Sequence, residues 1–262
     1  MSGGKLIPFG DGGFREGRAA TGRLNSAPVA DSLVIPARFN GPPDSGHGGY
    51  SAGLVGTLVD GPAEAALRAP PPLETPLAVE RDGERVSALE GRTVVLDAAP
   101  AEVDVEPPAP VGVDEAVAAE ADSFFRSDLH PFPTCFACGP RRPEGDGLRL
   151  FAGPIPGRDL FAAAWTPAAE FAGADGAVDP LFVWTALDCP SSAPAMTGTT
   201  KVLASLAVDL QARVEVEEPH VIGSWRIGVA GRKYWSGVAL WDARGGVLAV
   251  GRALWIELRE SK

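Results

Sequence analysis

Two related stretches decide the fold, residues 47–56 with the sequence HGGYSAGLVG and residues 179–188 with the sequence DPLFVWTALD. The first stretch keeps a glycine pair after its histidine and ends on Gly56, whereas the second has no glycine pair and ends on Asp188. One copy therefore retains the glycines and the other retains the carboxylate. If the two copies pair face to face, they supply the parts of one site between them.

The composition is that of a folded protein that binds neither nucleic acid nor membrane. The chain has 262 residues, of which 45% are hydrophobic and 22% charged, and this length suits one large domain or two small ones. Its net charge of -11 argues against contacts with phosphate backbones. No apolar run reaches membrane-spanning length, and the first residues lead into no signal-peptide core. Three cysteines make no disulfide framework, so we expect a cytoplasmic protein.

The order of predicted elements divides the chain into an arm and two similar units. Residues 1–27 are rich in glycine and arginine and are expected to form an N-terminal arm. The first unit, 28–112, contains a strand at 32–40, a helix within 47–59, four short strands up to 96, and a Pro/Ala-rich linker at 98–112. The second unit, 113–262, contains a short helix at 113–125, strands at 148–151 and 160–165, a helix at 181–189 ended by Pro190, and long antiparallel strands at 202–216, 221–229, 233–241 and 247–258. The pattern predicts an internal duplication of elements.

Four short motifs sharpen this prediction. The sequence CFACGP at 135–140, followed by GLRL at 147–150 and AWTP at 164–167, resembles the opening of phenylacetate-degradation-type acyl-CoA thioesterases, and HGG at 47–49 resembles the helix-start motif of the same family. The resemblance covers roughly residues 30–260. It implies an α+β double hotdog, in which two antiparallel sheets each wrap a central helix. It also implies hydrolysis or binding of acyl thioesters, with coenzyme A or an acyl carrier as the leaving group and with no cofactor.

The chain departs from the family pattern in both halves. Gly56 stands where the family has a carboxylate, and residues 179–181 replace the histidine and both glycines. Nine residues along a helix span about 14 Å, so Asp188 cannot share a substrate carbonyl with the N-terminus of its own helix. The donors must come from the partner helix, packed antiparallel. We therefore predict one composite site, with the opposite end of the helix pair inactive.

The residues of this composite site have separate predicted roles. Asp188, His47, Gly48 and Gly49 are predicted as the catalytic residues. Asp188 is expected to act as a nucleophile or as a general base on water, and the Gly48 and Gly49 amides are expected to stabilise the oxyanion. Four further residues are predicted to contact substrate, Thr57 and Thr185 by orienting water, Trp184 as a wall of the acyl pocket, and Tyr50.

Less specific interpretations of the same residues stay open. Asp188 can face solvent or cap a loop, and His47 can be a surface histidine whose glycines serve packing alone. Cys135 and Cys138 form a CxxC five residues after His130, and a zinc ion there would need a fourth ligand from Cys189 or His220. A structural loop with free thiols is favoured, so no metal is predicted. Cys189 can also be a nucleophile, but no histidine lies near it in sequence, and buried free cysteines are common.

The function expected from these features is a thioesterase-like hydrolase of acyl-CoA or acyl-carrier thioesters, as a single chain or a homo-oligomer. The second hypothesis is a non-catalytic protein that binds or senses acyl thioesters in the same groove. The third is a hotdog acyl-CoA dehydratase or hydratase. That branch pairs an aspartate with a histidine followed by Asn-Pro, which residues 44–47 match only faintly.

Overall fold

A computed structural model describes residues 32–196 and 198–259, so the arm predicted at 1–27 lies outside the described residues. The described helices are α1 (Gly48–Gly56), α2 (Val113–Ala119) and α3 (Pro180–Ser192). The described strands are β1 (Ser32–Leu33), β2 (Ala63–Leu67), β3 (Leu77–Asp82), β4 (Arg85–Glu90), β5 (Thr93–Pro100), β6 (Gly153–Pro154), β7 (Phe161–Trp165), β8 (Lys201–Leu210), β9 (His220–Ala230), β10 (Lys233–Asp242) and β11 (Val247–Glu257).

All these strands belong to one antiparallel sheet, in the order β1-β3-β4-β5-β2-β8-β11-β10-β9-β7-β6. The prediction of two separate sheets is therefore wrong. Strand β2 pairs with β8, from Ala63 opposite Val208 to Ala66 opposite Ser205, and this pairing joins the two halves. An unpaired edge strand leaves its amide and carbonyl groups without partners, and pairing two such edges satisfies both.

The two halves repeat one another around the β2–β8 junction. The order β3-β4-β5-β2 on one side is mirrored by β8-β11-β10-β9 on the other. The segments before α1 and α3 also correspond at one constant offset, since each contains a one-turn 3₁₀ helix, at Ala37–Phe39 and Ala169–Phe171. His47 and Asp179, the N-cap residues, have nearly the same backbone angles, φ -59 and ψ 131 against φ -56 and ψ 131. The local backbone is thus conserved between the halves where the side chains differ.

The two long helices pack on the sheet and on each other. Helix α1 contacts β2, β4, β5 and β8, whereas α3 contacts β7 to β11. Both helices therefore touch β8, at the centre of the sheet. The apolar side chains between helices and sheet form the main hydrophobic core. No helix of the described residues is long and apolar enough to cross a membrane.

The first unit differs from the prediction at both of its ends. The strand expected at 32–40 is only two residues long, because Pro36 begins a turn in which the Phe39 amide donates to the Pro36 carbonyl at 2.9 Å. The linker begins later than predicted, since β5 continues to Pro100 opposite Ala63.

The second unit differs at four places. The helix predicted at 113–125 ends at Ala119, and two 3₁₀ turns follow it, at Glu120–Asp122 and Phe124–Arg126. Residues 148–151 form no strand, because the amides of Leu148 and Leu150 donate to the carbonyls of Phe136 and Ala137, in the CxxC loop. Pro190 does not end α3, which continues to Ser192. The Pro190 carbonyl accepts a hydrogen bond from the Ser224 hydroxyl at 2.7 Å, so β9 holds the last turn of α3. Strand β8 ends at Leu210 instead of 216.

Candidate active site

Glycines on one face of α1 allow α3 to pack directly against its backbone. A Cβ atom at Gly49 would lie 2.5 Å from the Asp188 Cβ and 2.6 Å from the Trp184 carbonyl oxygen. At Gly53 it would lie 2.9 Å from the Trp184 Cβ, and at Gly56 2.6 Å from the Trp184 ring. The start of α1 therefore faces the later part of α3, and the helices run antiparallel. This antiparallel arrangement, which the sequence predicted, brings Asp188 to the N-terminus of α1.

The two oxygens of Asp188 have different surroundings. Its Oδ2 accepts the Gly49 amide at 2.6 Å and lies 3.2 Å from Nε2 of His47. Its Oδ1 is buried and has no hydrogen-bond partner among the described residues. The residue is 2% exposed, so it neither faces solvent nor caps a surface loop. One oxygen is held by α1, and the other is buried without a hydrogen-bond partner among the described residues.

His47 is buried and is held in one tautomer by the helix that it caps. Its Nδ1 accepts the Tyr50 amide at 3.2 Å, as the N-cap side chain of α1. A neutral imidazole that accepts at Nδ1 carries its proton on Nε2. That Nε2–H faces Asp188 Oδ2 and the Cys189 sulfur, each at 3.2 Å. His47 is therefore a donor toward both groups, and it is 1% exposed.

The environment of this pair brings the pKa of Asp188 close to neutral pH. Burial raises the pKa of Asp188 to about 6, against the opposing effects of the His47 charge and the Gly49 amide. Burial lowers the pKa of His47, but the negative charges of Asp188 and Cys135 outweigh it, and the pKa lies above its usual value. A carboxyl group with this pKa can exchange a proton at physiological pH.

A cavity of about 490 Å³ opens at this end of the helix pair. Its lining includes His47, Gly48, Asp188 and all three cysteines of the chain. The rest of the lining is largely apolar and includes Leu67, Phe124, Phe132, Met196, Leu203 and Trp255. Gly49 is not part of the lining, because its amide is turned toward Asp188. Of the two glycines whose amides are predicted to stabilise the oxyanion, only Gly48 lines this cavity.

The three cysteines converge on the site, which the sequence did not indicate. The sulfur atoms of Cys135 and Cys189 lie 3.6 Å apart, and both thiols are buried and free. Cys138 contacts His130, whose Nε2 lies 3.2 Å from its sulfur. Cys189 follows Asp188 on α3, and only the rotation of that helix on the sheet decides where its thiol points. The position of the CxxC loop depends on the same packing.

The histidines near these thiols are not arranged as metal ligands. Ligand atoms of His47, Cys135 and Cys189 lie within 4.8 Å of one another, as a metal would require. However, Nδ1 of His47 accepts a backbone amide, and Nδ1 of His130 accepts the Phe132 amide at 3.2 Å. In both neutral rings Nε2 then carries a proton and has no lone pair for a metal. These tautomers do not fit a metal ion.

The opposite end of the helix pair has a smaller cavity of about 280 Å³. It is lined by Gly56, Thr57, Pro180 and Trp184, together with residues of the sheet. Asp179 caps its own helix there, accepting the Leu181 amide at 2.9 Å. This end has no carboxylate in the position of Asp188, and the first residue of α3 is a proline, which has no amide to donate.

The four residues predicted to contact substrate do not line the larger cavity. Thr57 and Trp184 line the smaller one, because the Trp184 ring extends along α1 toward Gly56. The Thr185 hydroxyl donates to the Leu181 carbonyl within its own helix. Tyr50 stacks on Phe39 with ring centroids 4.0 Å apart.

Comparison with known proteins shows the fold. No protein-family model and no curated protein sequence matches the chain. Among solved structures, a protein assigned as a thioesterase from Novosphingobium aromaticivorans is 17% identical with a TM-score of 0.56, covering 87% of this chain and 94% of its own. One assigned as a thioesterase II from Thermobifida fusca is 17% identical with a TM-score of 0.55, covering 87% and 92%. The tesB protein of Mycobacterium avium subs paratuberculosis is 12% identical with a TM-score of 0.50, covering 89% and 90%. The chain therefore has the hotdog fold of these thioesterase-like proteins, as its sequence motifs predicted.

Proposed function

We propose that the chain is a fused double hotdog, with units at 28–112 and 113–262, that hydrolyses acyl thioesters at one composite site. The main support for this proposal is the position of Asp188. The second half supplies this residue, the first half binds it, and it lies at the end of an apolar cavity. One of its oxygens is bound by α1 and the other has no partner among the described residues. A carboxylate held in this way has a fixed orientation and one reactive oxygen.

Asp188 supplies the attacking group in the proposed reaction. Its free Oδ1 either attacks the thioester carbonyl carbon or accepts a proton from an attacking water molecule. Its pKa of about 6 leaves most of the carboxyl group ionised at neutral pH while keeping it more basic than a solvated aspartate. His47 is a positioning residue, because its Nε2–H orients Oδ2 and does not need to touch the substrate.

The Gly48 amide supplies the proposed oxyanion contact. Gly48 is the first residue of α1, and the first amides of a helix have no acceptor within it. They also lie at the positive end of the helix dipole, where a developing negative charge is stabilised. A Cβ at residue 48 would lie 2.9 Å from Asp188 Oδ2 and 3.0 Å from the Leu203 Cβ, so glycine lets the start of α1 pack directly against the carboxylate.

The cavity supports an apolar acyl group as the substrate class. Aromatic and aliphatic side chains form most of its lining, and they favour burial of a hydrocarbon chain or an aryl ring. We propose coenzyme A or a carrier protein as the thiol portion. Location in the cytoplasm and assembly into a homo-oligomer stay predictions.

The test is hydrolysis of a panel of acyl-CoA esters, from short-chain to long-chain and aryl, by wild type, Asp188→Asn and Asp179→Asn. Asparagine keeps the size of both side chains, and at residue 179 it keeps the helix cap. We expect Asp188→Asn to lower kcat by about a hundred-fold or more while calorimetry still detects binding of the ester. Asp179→Asn should match wild type.

Two results would contradict the proposal. Full turnover by Asp188→Asn would remove Asp188 from the reaction. Binding of esters without turnover by wild type would instead identify a non-catalytic acyl-thioester binding protein.

A further inference from the structure

We propose that Cys135 and Cys189 are an oxidisable thiol pair that a hydroperoxide converts into a disulfide, and that this disulfide inactivates the composite site. The pair joins two distant parts of the chain, the CxxC loop and helix α3. It is a modification site for hydroperoxides, and formation of the disulfide does not depend on the proposed hydrolysis, whereas its effect on activity rests on the proposed function.

The geometry of the pair already approaches that of a disulfide. The two sulfur atoms are 3.6 Å apart, so each needs to move by less than an ångström to reach the bond length of about 2.05 Å. Both thiols line the larger cavity, which gives a small peroxide a route to them. The loop is anchored beside the site, since the Phe136 amide donates to the Asn40 carbonyl at 2.8 Å.

The surroundings favour Cys135 as the thiol that reacts first. Burial raises its pKa, but hydrogen bonds from Cys138 and Cys189, with the charge and hydrogen bond of His47, outweigh burial and hold the pKa well below its usual value. Burial and the hydrogen bond with Cys135 raise the pKa of Cys138. A buried thiolate beside a second thiol is the arrangement in which a sulfenic acid is captured as a disulfide.

The chemistry proceeds in two balanced steps. The Cys135 thiolate attacks one oxygen of the hydroperoxide, the O–O bond breaks, and sulfenic acid and alkoxide or hydroxide are formed. The Cys189 sulfur then attacks the Cys135 sulfur, and the sulfenic oxygen leaves as water with the Cys189 proton. The loss of the Cys135 charge assists this step, because that charge contributes to raising the pKa of Cys189. Overall, two thiols are oxidised and one peroxide is reduced.

The disulfide would change the site through contacts that both sulfurs now make. Cys189 lies 3.2 Å from Nε2 of His47, and its sulfur moves away from this position and loses its proton when it bonds to Cys135. The Cys135 charge that raises the pKa of His47 also disappears. Cys189 adjoins Asp188 on α3, so the cross-link restrains the carboxylate directly.

The test is peptide mapping of the full chain after hydrogen peroxide, with free thiols alkylated in denaturant. We expect the intact mass to fall by two hydrogens, a cross-linked peptide pair containing Cys135 and Cys189, and reversal by dithiothreitol. Cys138→Ser is the matched control and should still form the cross-link, whereas Cys135→Ser and Cys189→Ser should not.

Three results would overturn the assignment. One is a cross-link within the CxxC loop, between Cys135 and Cys138. Another is complete alkylation of all three cysteines after peroxide. The last is the failure of the Cys138→Ser protein to form the disulfide while wild type forms it. None of these readouts requires the protein to hydrolyse an ester.

Discussion

The two ends of the α1–α3 helix pair have the same backbone but different chemistry. At one end His47 caps α1, Gly48 and Gly49 follow, and Asp188 reaches the helix start from α3. At the other end Asp179 caps α3 with nearly the same backbone angles, Pro180 follows, and Gly56 takes the position of the carboxylate. The two ends are equivalent in backbone, and in the proposed function each half carries a different part of one site.

The second end lacks the carboxylate, and the Trp184 ring occupies the position where that carboxylate would begin. The Trp184 ring lies where a side chain at residue 56 would begin, with ring atoms 2.6 Å from a Cβ built there. A carboxylate at 56 would therefore need Trp184 to move. The same tryptophan contributes its backbone carbonyl to the close packing at Gly49. One residue of α3 thus packs against both ends of α1, through its carbonyl at Gly49 and through its ring at Gly56.

Alanine substitutions in α1 are expected to give the largest difference between the two ends, measured as the free energy of unfolding. Gly49→Ala places a Cβ against the Trp184 carbonyl and the Asp188 Cβ, which cannot move without separating the helices. We expect it to lower the free energy of unfolding by about 3 kcal/mol and to abolish turnover. Gly56→Ala meets only the Trp184 ring, beside a cavity that can receive it, and the better helix propensity of alanine offsets about 1 kcal/mol. Urea unfolding of both variants measures the difference, and equal losses would refute it.

The pH dependence of stability is the second way to separate the ends. The pKa of Asp188 in the folded protein is about 6, above the ordinary value of 3.8, so the folded state favours the protonated form. That stabilisation is fully present below about pH 4 and is lost as the pH rises through 6. Relative to wild type, Asp188→Asn should therefore gain up to about 3 kcal/mol between pH 4 and 8. Urea unfolding at several pH values checks this, and an equal difference between the two proteins at pH 4 and pH 8 would contradict it.

Turnover should depend on the same proton in the opposite direction. The ionised carboxylate is the reactive form, so kcat should fall about tenfold for each unit below pH 6 and level off above it. Asp179→Asn should keep the wild-type profile. A profile without an acid limb near pH 6 would show that the rate does not depend on Asp188.

The part of this site that sequence could predict is its composition, and the part that it could not is its surroundings. The glycines of α1 and the distance along a helix were enough to pair His47 with Asp188, because both arguments use only helix geometry. Trp184 was predicted as a wall of the acyl pocket, but its ring lines the smaller cavity. The direction of this ring depends on Gly56, which lies in α1 and not in the helix that carries Trp184. The thiol pair was missed because Cys135 lies in a loop whose position is set by the hydrogen bond between Phe136 and Asn40.

The same physics explains which parts of the fold were predicted. The bounds of β9, β10 and β11 were predicted to within one or two residues, because these strands are long, rich in β-branched and aromatic residues, and separated by short turns. The joining of the two halves through β2 and β8 was not predicted, because sheet edges pair through backbone groups that every sequence has.

The smallest expected effect tests the role of the N-cap residue at the intact end. His47→Asn keeps a side chain that can cap α1, but it removes the Nε2–H that faces Asp188. The charge of His47 lowers the pKa of Asp188, so its removal should raise that pKa and move the acid limb of the kcat profile to higher pH. We expect turnover to fall about three- to tenfold at pH 6, which corresponds to a rise of about one unit in the pKa of Asp188. The loss should be smaller at pH 8.

A role for His47 in capping alone would leave the pH profile of His47→Asn unchanged. The corresponding exchange at the other end, Asp179→Asn, alters an N-cap with the same backbone angles and no carboxylate beside it. If both exchanges leave the profile in place, the hydrogen bond between His47 and Asp188 has no effect on the reactive carboxylate, and the difference between the two ends reduces to Asp188 itself. A shift at the His47 end alone would show that the cap residue of one half tunes the acid of the other.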